Sequence, residues 1–305
     1  MKTKETCSTL LKKYLDNKVN IYNVEKIEFT NVGENDVYNI SAPFSDNEKT
    51  IIAGRVEARD SEDSTVFFFE KKENVWEPVK DYPQFKLQDP FFTKINDELI
   101  IGGVEVFPDP DKENTLKWRT IFYKGENIKS LDKFFVGPDG MKDLRLVQLA
   151  DNRIGVLTRP QGEKGGRGKI GFTIIDTLED LSIDIINEAP LLDSLFIDEE
   201  WGGANEARVL DNSTLGILGH IACFDKEGNR HYYPMTFKLD INTLEVIDQK
   251  LIALRKDFKP GEAKRPDLED VVFSGGLVLN GEKATLYAGI SDAEAQLIEI
   301  DNPFK

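Results

Sequence analysis

Carboxylates recur in this 305-residue chain where polar segments lead into apolar ones. Asp89, Glu206, Glu269 and Asp270 each stand at such a boundary. Two carboxyl groups that meet in one pocket can act as general acid and general base in glycoside cleavage. The pattern therefore indicates acid–base chemistry on a sugar.

Asp89 is the first candidate for the acid. It is flanked by apolar side chains and followed by Pro90, which restricts its backbone. Apolar surroundings favour the protonated form of a carboxyl, as a general acid requires. The alternative is a structural aspartate in a turn before proline, which is common in β proteins.

A charged run begins at the end of the first apolar strand. In an extended chain Arg55, Glu57 and Arg59 point to one side, so that two arginines bracket a glutamate with Asp60 beside them. We expect Arg55, Glu57 and Asp60 to contact a substrate and Arg59 to contact an anion. The alternative is a solvent-exposed ladder of alternating charge.

Basic residues cluster in the middle of the chain. Lys142, Asp143 and Arg145 precede one strand, Arg159 ends the next, and His220 lies in an apolar strand. Cations that converge in a chain of net charge −16 predict a site for an anion such as phosphate. A single histidine on such a strand is otherwise more often a core residue.

The composition also limits the partners. With 55 acidic and 39 basic residues, the chain would repel nucleic acid and an anionic membrane surface. Neither a secretory signal nor a run of about 18 apolar residues is present in the sequence, so we expect a cytoplasmic protein. Two cysteines, Cys7 and Cys223, cannot form a disulfide framework, and Cys223 is expected to be a buried free thiol. We expect no metal and no organic cofactor.

The elements that would position these residues repeat five times. Residues 1–17 predict a short amphipathic helix, on which Cys7, Leu11, Tyr14 and Leu15 share helical spacing, and the rest predicts strands. Middle strands are predicted at 51–59, 99–106, 153–160, 214–223 and 284–293. Further apolar strands follow at 65–71, 118–125, 169–176, 232–240 and 295–301. This spacing is close to the about 40–50 residues of a propeller blade.

Outer strands are predicted at 75–81, 181–187 and 244–252, and residues 18–29 would supply the outer strand that the last unit lacks. The sequence therefore predicts an all-β, five-bladed β-propeller that forms one domain over residues 1–305. A β-sandwich is the alternative, but it has no reason to repeat one strand order five times. The segments that would line a central funnel are 39–44, 87–92, 141–146, 202–209 and 268–276.

The glycine-rich segment 165–168 lacks the strand–loop–helix setting of a nucleotide-binding motif. It predicts a flexible hairpin tip that would be able to close over the funnel. Two histidines without a Gly-x-Ser-x-Gly sequence argue against a serine triad.

These motifs resemble the mannoside phosphorylases of glycoside hydrolase family 130, and more closely the MTP-type mannosyltransferase/phosphorylases of glycosyltransferase family 108. The segments that carry the resemblance are GRVEARDSEDS (54–64), LQDPFFTKINDELIIGG (87–103), MKDLRLVQLADNRIGVLTRP (141–160), ILGHIA (217–222), VVFSGGL (271–277) and LYAGISDAEAQLIEID (286–301). The resemblance implies that Asp89 is the catalytic acid, that Lys142 and Arg159 bind phosphate, and that His220 and Asp292 belong to the site. Gln88, Phe91 and Thr158 depart from the family pattern, in which an acid, an arginine and a histidine are found.

Three functions remain open at this point. The first is an inverting mannoside phosphorylase or a nucleotide-sugar-linked mannosyltransferase that forms or consumes mannose 1-phosphate. Asp89 would protonate the departing oxygen, and phosphate would be held by Lys142, Arg159 and His220, with help from Arg59 or Arg145.

The second function is an inverting glycosidase in which Glu206, Glu269 or Asp270 activates water. The third is a non-catalytic sugar-binding propeller in which aromatic platforms such as Trp201 dominate. Asp143, Trp201, Arg208 and Asp292 are expected to contact the substrate, an oligosaccharide or mannoside, and inorganic phosphate would be a co-substrate. The oligomeric state stays open.

Overall fold

The computed structural model describes residues 4–17 and 19–305. One helix, α1 (Cys7–Asp16), precedes a chain that consists mainly of β-strands, which confirms the all-β class. Residues 1–3 of the predicted leader helix lie outside the described residues. The first strand is β1 (Ile21–Lys26).

Five antiparallel meanders follow β1 along the chain. The first comprises β2 (Asp36–Tyr38), β3 (Phe44–Asp46), β4 (Lys49–Glu57), β5 (Thr65–Lys72) and β6 (Val75–Pro78). The second comprises β7 (Gln88–Ile95), β8 (Glu98–Pro108), β9 (Leu116–Gly125) and β10 (Asp132–Val136). The third has three strands, β11 (Arg145–Gln148), β12 (Ile154–Thr158) and β13 (Gly171–Ile175).

The last two meanders form one continuous sheet. The fourth comprises β14 (Trp201–Val209), β15 (Thr214–Phe224), β16 (Arg230–Asp240) and β17 (Val246–Leu251). The fifth comprises β18 (Asp270–Asn280), β19 (Lys283–Ile290) and β20 (Glu294–Asp301). A short parallel pairing of β16 with β18 joins the two, with His231 opposite Asp270.

The remaining helical elements are short. They are α2 (Gly162–Gly165), α3 (Ile183–Glu188) and the 3₁₀ turns Ile128–Ser130, Leu178–Asp180, Arg255–Asp257 and Pro266–Leu268. Segment 165–168, predicted as a hairpin tip, lies in the connection between the antiparallel strands β12 and β13 and begins at the last residue of α2, where Gly162 and Gly166 exchange two backbone hydrogen bonds.

The outer strand predicted at 181–187 is wrong, because this segment contains α3. Ser182 caps the helix by accepting a hydrogen bond from the Ile185 amide at 3.4 Å. Ile186 is fully buried against the third meander. The helix buries this side chain without any strand pairing to β13. The third meander therefore ends in a helix where the others end in a strand.

Helix α1 packs through a face slightly different from the predicted one. Thr6 caps its first turn by accepting a hydrogen bond from the Thr9 amide at 3.1 Å. Cys7 and Leu10 are buried in the core and Tyr14 packs beside them, whereas Leu15 is 53% exposed. The spacing 7, 10, 14 places these three residues on one helical face, away from Leu15.

The pairing of β1 with β20 confirms that the N-terminal segment completes the last meander. The two strands are antiparallel, with Ile21 opposite Ile300 and Lys26 opposite Gln296. The first and last strands of the chain thus lie side by side.

The apolar core lies between consecutive meanders. One cluster joins the first meander to the second through Phe68 and Ile101, and others join the second to the third, the third to the fourth and the fourth to the fifth. A further cluster joins the fifth to the first, where Ala295 packs with Val37 and Phe69. Strands of different meanders contact one another, as β7 contacts β4, β11 and β18. This convergence brings residues that are distant in sequence into one region.

Candidate active site

Asp89 stands at an irregular point of the second meander. The register of β7 against β8 shifts between Gln88 and Phe91, and the φ angle of Asp89 is 49°, in the left-handed region. Its buried carboxylate accepts hydrogen bonds at Oδ1 from Asn39 Nδ2 at 2.8 Å and from Arg55 Nη1 at 3.2 Å. Strained backbone of this kind is concentrated at functional sites.

Arg55 also holds Glu57, as the alternation along β4 predicts. Arg55 Nη2 lies 2.8 Å from Glu57 Oε2, and the Tyr38 hydroxyl donates to Glu57 Oε1 at 2.6 Å. The Lys264 ammonium and the Ser64 hydroxyl also contact the Glu57 carboxylate. Burial raises the pKa of Glu57, but Arg55 and Lys264 outweigh it and hold that pKa below its usual value. Glu57 is therefore an anion.

Asp292 completes a group that we call the carboxylate cluster: Asp89, Glu57 and Asp292 with Arg55 and Lys264. Asp292 has a φ of 50° in the connection from β19 to β20. Burial raises its pKa above the usual value, the charge of Asp89 adds to this, and Arg55 and Lys264 oppose it. Asp89 and Asp292 therefore lie close enough to influence each other electrostatically.

Beside the carboxylate cluster, and bordered by Gln88, is a cavity of about 460 Å³ that we call the basic cavity. Four of its lining residues are cations and four are aromatic: Lys142, Arg159, Arg167, Arg230, Trp118, Trp201, Phe224 and Tyr232. Cations bind anions, and aromatic faces bind apolar sugar faces or bases. This composition fits a ligand that carries both a sugar and a phosphate.

Arg159 has a donor to spare in this cavity. Its Nε donates to the Gly202 carbonyl at 2.8 Å and lies 3.3 Å from Asp143 Oδ2. Its Nη1 is buried and has no hydrogen-bond partner within residues 4–17 and 19–305. Since a buried, unpaired donor is costly, this atom is suited to an anionic ligand.

Asp143 lies beneath Arg159, with a φ of 60° and almost no exposure. Burial raises its pKa, but Arg159 and Lys142 more than compensate and lower it below the usual value. Asp143 is thus an anion that fixes the position of Arg159. The prediction that Asp143 contacts a substrate itself stays a prediction.

His220 is buried and uncharged. Burial is the main reason that its pKa falls to about 3. Its Nδ1 lies 2.9 Å from Asn205 Oδ1, and its ring stacks on Tyr232 with centroids 5.4 Å apart. Because Asn205 Oδ1 can only accept, the proton of the neutral ring is on Nδ1, and Nε2 is left as an acceptor. His220 therefore adds no positive charge to the predicted basic trio.

Lys142 connects the basic cavity to the carboxylate cluster. Its charge acts on Asp143 and His220 on one side and on Asp292 on the other. Its ammonium has no hydrogen bond or ion pair to any residue that the structure describes. Because the Lys142 ammonium has no partner of its own in the described chain, it can pair with an anion that binds in the cavity.

The family described as protein of unknown function (DUF1861) matches residues 13–305. No curated protein matches the chain. MPT-4, a mannose phosphorylase from Leishmania mexicana solved in complex with phosphate ion, is 36% identical, with a TM-score of 0.89 over 97% of this chain and 93% of that one. The chain belongs to this mannosyltransferase/phosphorylase family. It is therefore a carbohydrate-active enzyme, and the binding-only alternative is set aside.

A second solved structure supports the assignment to the mannosyltransferase/phosphorylase family, and a more distant one shares the fold. MPT-1, a GDP-Man-dependent mannosyltransferase from Leishmania mexicana, is 32% identical with a TM-score of 0.88, over 98% of this chain and 95% of that one. A β-1,2-mannobiose phosphorylase from Listeria innocua shares the fold at 15% identity, with a TM-score of 0.61 over 94% of this chain and 93% of that one.

Two charged residues predicted for the site, Arg59 and Asp60, lie outside it. Strand β4 ends at Glu57, so Arg59 turns away and pairs with Asp36 and Glu262. Asp60 is exposed. The expectation that Arg55, Glu57 and Arg59 act together fails because the strand is two residues too short.

Arg145 is buried, but its donors are directed at protein groups. Its Nε donates to the Asn205 carbonyl at 2.8 Å, its Nη1 donates to the Leu144 carbonyl at 2.9 Å, and its guanidinium lies 3.7 Å from the Phe91 ring centroid. Burial lowers its pKa to about 10. A phosphate-binding role for Arg145 does not fit this arrangement.

The candidate bases are also separated from the basic cavity. Glu206 contacts Arg208, accepts a hydrogen bond from the Leu277 amide at 2.7 Å, and borders a different cavity of about 210 Å³ with Lys94. Arg208 also donates to the Leu277 carbonyl at 2.6 Å, and burial lowers its pKa to about 10. Glu206 and Arg208 thus form a link between β14 and β18.

Glu269 and Asp270 lie at the start of β18. Glu269 is exposed, whereas Asp270 lies 2.6 Å from His231 Nδ1 and accepts a hydrogen bond from the Tyr233 hydroxyl at 3.1 Å. Both residues border a third cavity, of about 490 Å³, with Arg255. Their prediction as bases opposite Asp89 has no geometric support.

Sequence reasoning missed Asn39, Lys264 and Arg167. Asn39 shares the left-handed conformation of Asp89, with a φ of 45°, and stands in the segment of the first meander that was expected to line the funnel. Lys264 lies in the irregular connection before β18, where no periodic pattern exists to reveal it. Arg167 was considered only as part of a loop, although a single arginine among three glycines is a signal for an exposed cation.

Among the described residues, no three His, Cys, Asp or Glu side chains are grouped to hold a metal, and no helix is long and apolar enough to span a membrane. The absence of a cofactor stays a prediction.

Proposed function

We propose that this enzyme is an inverting β-mannoside phosphorylase/mannosyltransferase that forms or consumes mannose 1-phosphate. The observation that carries the proposal is the pair of cations Lys142 and Arg159, which line the basic cavity together with Gln88, the neighbour of Asp89, and have donors without a partner among the described residues. An anion and a glycosidic bond would meet at this junction. The relatives from Leishmania, a mannose phosphorylase with bound phosphate and a mannosyltransferase, support the same chemistry.

Asp89 is the proposed general acid. It would protonate the departing glycosidic oxygen, directly or through a sugar hydroxyl, while Arg55 and Asn39 hold its carboxylate in place. General acid catalysis by a positioned carboxyl contributes about 10²–10⁴-fold to a rate. Asp292 and Glu57 would stabilise positive charge that develops at the anomeric carbon.

Phosphate is the proposed nucleophile. Lys142 and Arg159 would reduce the repulsion between the incoming dianion and the carboxylate cluster, and His220 Nε2 would accept a hydrogen bond from the O–H of monohydrogen phosphate. Attack from the face opposite to the leaving group inverts the anomeric centre. The reverse reaction would extend a mannoside from mannose 1-phosphate through the same transition state.

The five meanders are the proposed blades of one five-bladed propeller that comprises the whole chain. Support comes from the apolar clusters, which join each meander to the next and the fifth to the first. The site then lies where β7, β11, β14 and β18 converge.

An inverting glycosidase is the second candidate, since it would share the acid. It requires a second carboxyl about 6.5–9.5 Å from Asp89 to activate water. Glu206 is bound to Arg208 and Leu277, and Asp270 is bound to His231 and Tyr233. The free cations in the basic cavity would have no task in this reaction, which favours the phosphorylase.

The deciding experiment incubates the protein with β-mannobioses, with and without inorganic phosphate, and measures mannose 1-phosphate and free mannose. We expect mannose 1-phosphate only when phosphate is present. Equal release of free mannose under both conditions would overturn the proposal in favour of hydrolysis.

A further inference from the structure

Cys7 and Cys223 belong to the same apolar cluster although 215 residues separate them in the sequence. Cys7 is the first residue of α1 and is 4% exposed, and Cys223 is the penultimate residue of β15 and is half-buried. Helix α1 contacts β15, and both side chains belong to the same apolar cluster. The two free thiols therefore form a pair in which only one is open to solvent.

The accessible thiol faces a histidine. Cys223 pairs with His231 across β15 and β16, so their side chains lie on the same face of the sheet. His231 Nδ1 lies 2.6 Å from Asp270 Oδ2, and Nε2 lies 3.4 Å from Asp225 Oδ2. Burial lowers the pKa of His231, but these two carboxylates outweigh it and raise that pKa above its usual value.

This environment favours the thiolate of Cys223. The interaction with Cys7 and the charge of His231 lower the pKa of Cys223, against the opposing effect of burial. The pKa of Cys7 is raised, first by its interaction with Cys223 and then by burial. A thiolate-forming cysteine that is open to solvent, next to a second buried thiol, has the arrangement of a redox-reactive pair.

We propose that Cys223 and Cys7 form a thiol–disulfide exchange site, in which Cys223 reacts with a low-molecular-weight disulfide and Cys7 resolves the product. The Cys223 thiolate attacks one sulfur of the small disulfide, the S–S bond breaks, and one small thiolate leaves and takes up a proton. The Cys7 thiol, losing its proton, then attacks the Cys223 sulfur and releases the second small thiol. The two protein thiols lose two electrons, and the small disulfide is reduced to two thiols.

The cross-link would connect α1 to the wall of the basic cavity. The Cys7 amide donates to Glu200 Oε1 at 2.8 Å, and Glu200 precedes Trp201. Phe224 follows Cys223, and its ring lies 4.8 Å from that of Trp201, centroid to centroid. Formation of the disulfide therefore acts on both sides of Trp201, one of the three tryptophans, and tryptophan fluorescence is a readout that does not depend on the proposed activity.

The test treats the reduced full chain with oxidised glutathione, blocks the remaining thiols by alkylation and maps the peptides by mass spectrometry. We expect one internal disulfide between Cys7 and Cys223, which dithiothreitol reverses, together with a change in tryptophan fluorescence. Cys7→Ser should stop at a mixed disulfide on Cys223, and Cys223→Ser should react at least about tenfold more slowly at Cys7.

His231→Gln, made in the Cys7→Ser background, separates an activated thiol from one that is merely exposed. We expect mixed-disulfide formation to slow about tenfold, with Lys226→Gln as a control that removes an exposed cation from the nearby turn. The proposal is overturned if the unmodified chain gains two separate glutathione adducts or none, if Cys7 reacts first, or if His231→Gln reacts at the parent rate. Peptide mapping of the unmodified chain decides the first two outcomes even where a variant does not fold.

Discussion

The guanidinium of Arg55 bridges Asp89 and Glu57, with Nη1 3.2 Å from Asp89 Oδ1 and Nη2 2.8 Å from Glu57 Oε2. One buried cation therefore holds a residue of β4 against a residue of β7. Asp89 uses only Oδ1 for these contacts, and its Oδ2 accepts no hydrogen bond from the described part of the chain. The free oxygen is the atom that a substrate can approach.

Asp89→Asn should abolish most of the turnover while leaving the fold intact. The amide can retain a contact with Asn39 but has no proton to transfer, so we expect the rate of mannose 1-phosphate formation to fall about 10²–10⁴-fold. Binding of a mannobiose, measured by calorimetry, should change little. Asp60→Asn is the matched control, because Asp60 is exposed and lies outside the cluster. A variant with parental turnover would show that another group is the acid.

Arg159→Lys should weaken the use of phosphate more than the use of mannoside. Lysine keeps the charge but cannot both bond the Gly202 carbonyl and present the free Nη1 donor. Loss of a charge-assisted hydrogen bond corresponds to about a 10–100-fold higher KM for phosphate. Arg59→Lys, at the surface, should leave that KM unchanged. An equal rise in both KM values would contradict a phosphate-specific role.

Arg167→Ala tests whether the exposed arginine takes part in anion binding. Its guanidinium lies 5.3 Å from the centroid of Phe224 and 5.8 Å from that of Trp201 and forms no ion pair with the described residues. We expect about a tenfold loss of affinity for mannose 1-phosphate and only a small loss of thermal stability, because the exposed guanidinium contributes no more than weak cation–π contacts with these two rings. Lys226→Ala controls for the change in net charge. Unchanged affinity would remove Arg167 from the site.

His220→Gln should make the protein less sensitive to acid. The pKa of His220 is about 3 in the folded state against an ordinary value of 6.5, because burial disfavours its charged form. Between these two values the unfolded chain binds more protons, so wild-type stability falls as pH falls, by at most about 1.4 kcal/mol per pH unit from this group.

Urea denaturation between pH 4.5 and 7.5 measures this slope. We expect a shallower decline for His220→Gln than for the parent. His231→Gln is the opposite control: the folded pKa of His231 is raised, so its contribution is present at low pH and is lost as pH rises. A parental slope in His220→Gln would show that the imidazole is not buried in its neutral form.

Much of the fold could be predicted because strand periodicity is a local property. The strands that contain Phe68, Ile101 and Leu157 are visible in the sequence as apolar runs between turns, and the order of these runs repeats along the chain. The strand prediction for residues 181–187 was wrong because Leu181, Ile183 and Ile185 alternate as they would in a strand. The cap at Ser182 and the burial of Ile186 stabilise a helix there instead.

The site was predictable where a side chain lies on a regular strand. Arg55 and Glu57 share one face of β4, and their contact follows from the period of two. The prediction for Arg59 was wrong because the alternation of side chains along a strand does not show where the strand ends. Lys264 and Asn39 reach the cluster from irregular segments, whose paths depend on tertiary packing that no local pattern reveals.

The side-by-side placement of β1 and β20 has a consequence for how the molecule assembles. The two strands are almost the full chain length apart in sequence. Among the strand pairs of the described residues, theirs therefore has the largest entropic cost of loop closure. Contacts of such high sequence separation slow folding, and until they form, β20 is an open edge that a second chain can extend. We therefore expect the seam between these two strands to be the last part of the molecule to gain protection in pulsed hydrogen exchange, and the place from which aggregation starts.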